Sequence, residues 1–96
     1  MRLREFLNEG DKSIQDYSHY TDSQLLRESI LEEYYAANVY SVMSKYAKDP
    51  RVKKVLLHVA EEEKHHVGEF EYILGLLDEE HIPAKEEGEQ EAIEEV

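Results

Sequence analysis

Ninety-six residues allow one domain, and a net charge of −12, from 23 acidic against 11 basic side chains, argues against nucleic acid or an anionic membrane as partner, because both need a basic face. With no cysteine the chain can form neither a disulfide nor a thiolate metal site, and a small domain without disulfides usually needs a metal or a partner subunit. No apolar run approaches the ~20 residues of a membrane span, the N-terminal residues do not read as a secretory signal, and the expected compartment is the cytoplasm.

Residues 1–20 read as an arm, with a turn of helix near Leu3–Leu7 and a break at Gly10. Thr21 followed three residues later by Gln24 fits a capping box and predicts a helix from there to about Ala47. Asp49 can cap a second helix and Pro50 suits its first position; this helix is predicted to run to about Leu77. A connection of three residues makes the two helices antiparallel neighbours. Together, residues 21–80 predict an all-α hairpin of two helices, each about 40 Å long at 1.5 Å per residue. Ile82-Pro83 is expected to end the ordered part. Residues 78–96 carry nine acidic residues and one lysine, so 81–96 are expected as an acidic tail, disordered or ordered only against a partner.

The stretch VAEEEKHHVGEFEYIL, residues 59–74, holds two overlapping Glu-x-x-His pairs. Residues three apart share a helix face, so either pair could hold a metal. Positions Val52, Leu56, Val59, Glu63, His66, Phe70, Ile73 and Leu77 alternate steps of four and three, the seam of packed helices. Six are apolar, and the two exceptions are Glu63 and His66. The first helix gives Leu26, Ile30, Glu33, Ala37, Tyr40 and Ser44, with Glu33 interrupting the seam. A buried carboxylate without a partner costs several kcal/mol. A divalent cation compensates two carboxylates and accepts an imidazole nitrogen; oxygen and nitrogen ligands without sulfur suit iron or manganese, and zinc is compatible. The alternative is a Glu–His hydrogen-bonded pair that fixes helix register.

Tyr40, two turns beyond Glu33 on the same face, is either a core tyrosine with its hydroxyl satisfied, a partner of a ligand carboxylate, or an iron ligand. The second pair belongs to a separate stripe, His58, Glu62, His65 and Glu69, which is either a solvated polar face or an accessory metal site. Di-iron carboxylate bundles take one Glu from each of two helices and a Glu-x-x-His from each of two others. This chain holds half of that set. Two chains packed face to face would complete both the ligands and a ferritin-like four-helix bundle.

ILEEYYAANVY followed by LLHVAEEEKHHVGEFEYIL resembles the encapsulated ferritins, two-helix ferritin-like proteins associated with encapsulin shells. The resemblance covers about residues 21–80. It implies a ferroxidase, which oxidises Fe(II) to Fe(III) with dioxygen at a di-iron centre shared between two subunits. Carried across, the centre is Glu33, Glu63 and His66 from each of two chains, with Glu63 bridging and Tyr40 beside it. The resemblance further implies a ring of five dimers, a decamer, housed in an encapsulin nanocompartment that stores the iron. It also implies outer, iron-admitting sites near Glu32, Tyr35, His58, Glu62 and His65, where calcium, manganese or zinc could also bind. Val39 stands where relatives can carry Trp, and Tyr35 and His65 stand where an outer site can use a carboxylate. The tail shows no shell-docking peptide of the Gly-Ser-Leu type. Two other readings are a rubrerythrin-like peroxidase and a non-catalytic helical assembly module. The short hairpin and the lack of cysteine weigh against the first. The second would pair without iron.

Overall fold

The computed structural model describes residues 16–96. The helical turn expected near Leu3–Leu7 lies outside them. Within the described residues the protein is all helical, with α1 over Asp22–Tyr46, α2 over Pro50–Leu77 and α3 over His81–Glu95.

Local chemistry sets where the first two helices begin. Thr21 Oγ1 accepts from the Gln24 amide at 3.1 Å, and Gln24 Oε1 accepts from the Thr21 amide at 2.8 Å. This reciprocal box satisfies two amides that α1 would otherwise leave open. At the other end, Lys45 sits in the last turn, where a cation complements the helix dipole. Asp49 caps α2 by accepting from the Arg51 amide at 2.8 Å. Pro50 follows at the first helical position, where its missing N–H costs nothing and its fixed φ already suits the helix.

The Ala47–Asp49 connection folds α2 back along α1, and the two helices form an antiparallel hairpin. Arg27 on α1 ion-pairs Asp78 just beyond α2, joining the open end of the hairpin. The fully buried apolar positions are Ala37 on α1 and Ala60, Val67 and Leu74 on α2, with Leu74 only 1% exposed. The expected seam on α2 is only partly inside: its Leu56, Val59, Glu63, His66 and Phe70 are half-buried. Its Val52, Ile73 and Leu77 are exposed, and the row against α1 runs one residue further on, through 60, 67 and 74. The apolar stripe of α2 is wider than one neighbour can cover. A step of one residue turns the helix by ~100°, so the two rows face different directions.

The segment expected as a disordered tail is the helix α3. Pro83 lies at its third position, where the amide has no intrahelical acceptor in any case; a proline there starts a helix rather than stopping one. The α2–α3 corner turns on Asp78, which accepts from the Glu80 amide through Oδ1 at 3.1 Å and from the His81 amide through its carbonyl at 3.1 Å. Two contacts then dock α3 on α2. Ile82 lies against Gly75, where a Cβ would come within 3.0 Å of Ile82 Cγ1, and Lys85 Nζ donates to Glu71 at 3.1 Å. The Nε2 atom of His81 is buried there without a hydrogen-bond partner, a cost of about 1–3 kcal/mol that weakens the corner. From Ile82 onward every residue is exposed. Among the described residues no helix is long and apolar enough to cross a membrane.

Candidate metal centre

Glu33 lies thirteen residues before the end of α1, and Glu63 lies thirteen residues after the start of α2. In an antiparallel hairpin with a short turn, equal distances from the turn place two residues at the same height. Both helices rise about 20 Å over thirteen residues, so Glu33 and Glu63 meet near mid-hairpin. His66, three residues beyond Glu63, shares its face.

The three side chains converge. His66 Nδ1 is 3.3 Å from Glu33 Oε2 and 3.5 Å from Glu63 Oε2. One ligand atom from each lies within 4.8 Å of the other two, and this is the group of three His or carboxylate side chains that comes together among the described residues. The carboxylates are largely covered, at 16% and 17% exposure, while His66 is 43% exposed. The trio therefore has a closed side within the hairpin and an open side. His66 stands on that open side in a row with Val52, Val59 and Ile73, spaced seven residues apart along α2.

The donor set fits a divalent iron or manganese ion: two oxygen donors carry negative charge, and one imidazole supplies nitrogen. Three protein donors are fewer than such an ion takes when held by protein alone.

Tyr40 is half-buried two turns along α1 from Glu33. His58, Glu62 and His65 form a chain of weak pairs, with Glu62 3.8 Å from His58 and 3.7 Å from His65. Both histidines are more than half exposed, and the three do not close into a common ligand sphere. Glu69 is exposed further along that stripe. Glu32, which the resemblance implied as an outer ligand, is 8% exposed, and within one chain it is not gathered with that stripe. Tyr35 is exposed. Nothing in the sequence announces the burial of Glu32, because an acidic residue beside Glu33 on a charged helix carries no burial signal of its own.

Comparisons with known proteins bear on this geometry. The family model described as Rubrerythrin matches residues 24–95. A ferritin-like–encapsulin shell fusion protein of Pyrococcus furiosus is 48% identical over 59 residues, which is 62% of this chain and 17% of that protein. The crystal structure of the encapsulated ferritin domain from Pyrococcus furiosus superposes with a TM-score of 0.76 at 38% identity, covering 88% of this chain and 94% of that one. The chain thus spans 17% of the fusion protein's length and nearly all of the solved ferritin domain.

Proposed function

The chain belongs to the rubrerythrin family of ferritin-like proteins and is homologous to the encapsulated ferritin domain of Pyrococcus furiosus; from that premise we propose that it is a ferroxidase whose di-iron centre is completed by a second copy. The observation that carries the reading is the convergence of Glu33, Glu63 and His66 within 4.8 Å at mid-hairpin, with one side open. A second copy presenting the same three residues would bring the set to four carboxylates and two imidazoles, the ferritin-like complement.

The roles follow from the side chains. Glu33 and Glu63 supply negative charge in a mostly desolvated position, where it offsets cations strongly. His66 supplies a neutral nitrogen from the partly exposed side, so it is the ligand that an incoming ion reaches first. Tyr40 places a phenol along the same face of α1. Iron, when bound, supplies the one-electron chemistry by which Fe(II) is oxidised and dioxygen reduced. Ferrous iron is also the substrate, and in this reading the ferric product leaves for storage in a cytoplasmic compartment; the names of the homologues support an encapsulin shell as that compartment. In this reading the pairs assemble into a ring of five. His58, Glu62 and His65, with Glu32, serve as an outer site that admits ferrous or other divalent ions once copies assemble.

The test is an anaerobic ferrous titration followed by air, with His66→Ala beside the parent chain. One tight iron per chain, oxidised faster than in buffer and lost in the variant, supports the shared ferroxidase centre. Oxidation no faster than in buffer overturns it. The second reading is a rubrerythrin-like peroxidase, with which the family match is compatible; replacing dioxygen with hydrogen peroxide as oxidant separates the two.

A further inference from the structure

Five of the eleven basic residues, Lys45, Lys48, Arg51, Lys53 and Lys54, fall within ten positions that contain one acidic residue, Asp49. They occupy the end of α1, the connection and the first turns of α2, so the turn of the hairpin is a cationic tip on an acidic chain. All five are exposed. Arg51 is engaged by Asp49, with Nη2 2.8 Å from Oδ2. No carboxylate among the described residues pairs with Lys48, Lys53 or Lys54. The partial charges of the α1 C-terminus and the α2 N-terminus offset one another there, so the positive character of the tip comes from the side chains. Tyr46, Val52 and Val55 are exposed between the cations and offer apolar area beside them.

The helix α3 has the opposite character. From Lys85 to Glu95 it carries six glutamates and one lysine. Glu87, Glu91 and Glu95 stand at four-residue steps, where like charges destabilise a helix. A helix of 15 residues is marginal alone in water, and α3 is docked only near its start. Ile93 is exposed without apolar cover. Beyond Lys85, α3 therefore has neither a cation of its own nor apolar contact, and the tip offers both.

The two cannot meet within one chain. The tip and the start of α3 lie at opposite ends of α2, whose 28 residues span about 42 Å. At 15 residues, α3 is about 22 Å long and would fall short even if laid back along α2. We propose that the cationic tip of one copy receives the acidic α3 helix of another, with Glu87, Glu91 and Glu95 facing Lys48, Lys53 and Lys54. The contact joins two different patches, so it either closes reciprocally across a two-fold axis or propagates head-to-tail into a ring or chain of copies. It uses none of Glu33, Glu63 and His66 and does not require iron. Among acidic surfaces, α3 is the occupant the charges favour, because every chain supplies one tip and one acidic helix in equal number.

The experiment follows the 96-residue chain in chelator by native mass spectrometry and sedimentation velocity, at low and high ionic strength. Beside it run Lys48→Glu/Lys53→Glu/Lys54→Glu, Glu87→Lys/Glu91→Lys/Glu95→Lys, a chain carrying both sets, and His66→Ala. Exposed charges are screened within ~10 Å at 0.1 M salt, so the contact should weaken as salt rises. Each reversal set should weaken assembly by about tenfold or more, the scale of several surface pairs acting together. The chain carrying both sets should recover it, and His66→Ala should keep it while losing iron. Unchanged assembly in both reversal sets, or no recovery in the doubly reversed chain, overturns the proposal. So does sensitivity to the tip set alone, which would assign the tip to another acidic surface. Because the chain has no cysteine, Lys53→Cys mixed with Glu91→Cys gives a readout independent of helix stability. A crosslink between those two variants is expected. One no more frequent than between Lys64→Cys and Glu91→Cys overturns the contact.

Discussion

A metal site and a structural ion pair respond oppositely to the loss of one charge, and Glu63→Gln tests which the trio is. The ligand oxygens of Glu33 and Glu63 come within 4.8 Å of each other. At that distance two negative charges repel by about 1 kcal/mol in the dielectric of water and about 3.5 kcal/mol at an effective constant of 20. Both carboxylates are about five-sixths covered, so the repulsion lies between those limits. Against it stands the attraction of Glu63 to His66 Nδ1 at 3.5 Å, beyond good hydrogen-bond length and worth about 1 kcal/mol at most. Glutamine keeps the shape and removes the charge. The metal-free variant should therefore be no less stable than the parent, and about 1 kcal/mol more stable is expected. Ferrous iron, added without oxygen at 100 times its dissociation constant, should stabilise the parent by about 2.7 kcal/mol and leave the variant nearly unmoved. The assay is chemical denaturation in chelator and in anaerobic iron. A variant destabilised by more than about 1 kcal/mol without metal, with a parent indifferent to iron, would identify a structural pair and refute the reasoning.

Thr21→Ala removes the acceptor for the Gln24 amide and should cost about 1 kcal/mol, read as a lower melting temperature. Gly68 and Gly75 form a matched pair inside α2. A Cβ at Gly68 meets nothing within 4 Å, whereas one at Gly75 meets Ile82 Cγ1 at 3.0 Å. Gly68→Ala should stabilise by about 0.5–1 kcal/mol, while Gly75→Ala should show less gain and release α3, seen as faster amide exchange in residues 82–90. The hydrogen bond that Lys85 donates to the Glu71 carboxylate is the main cause that raises Lys85 above its usual pKa of 10.5. A raised cation stabilises the docked state fully below its unfolded pKa and loses that contribution as pH rises through the folded one. A spin-label distance between α2 and α3 should accordingly hold at neutral pH and lengthen only above about pH 10.5; lengthening near neutrality would contradict it.

Where local chemistry decides, the sequence was readable. The Thr21–Gln24 box and the Asp49-Pro50 pair place the starts of α1 and α2 to within a residue, because capping needs only neighbours. The meeting of Glu33 with Glu63 and His66 was readable for a related reason: with a short turn, height along the hairpin is set by counting residues. What was not readable depends on partners. Val52, Ile73 and Leu77 share the apolar character of Val67 and Leu74, and periodicity cannot tell which row faces α1 and which faces outward. Pro83 has opposite meanings inside a helix and in its first turn, and nothing in Ile82-Pro83 says which applies. The burial of Glu32 arises from tertiary surroundings that its own neighbours in sequence do not announce.

The half-set of ligands and the outward apolar row make one more claim that can be measured. If each copy brings three donors to a centre that needs both, iron binding and pairing are linked, and each strengthens the other by the same factor. A site complete within one chain would bind iron with an affinity independent of protein concentration. A shared site would not: below the dissociation constant of the pair, each further dilution should weaken apparent iron binding, and iron should shift sedimentation toward the paired species. In a shared site the apolar row of Val52, Val59 and Ile73 would supply pairing energy that does not depend on the metal, so Ile73→Ser should weaken both pairing and iron affinity while leaving Glu33, Glu63 and His66 in place. Iron affinity that stays constant across dilution and survives Ile73→Ser would mean that one hairpin holds its metal alone. The open side of His66 would then be a route for solvent and ions rather than the seat of a second copy.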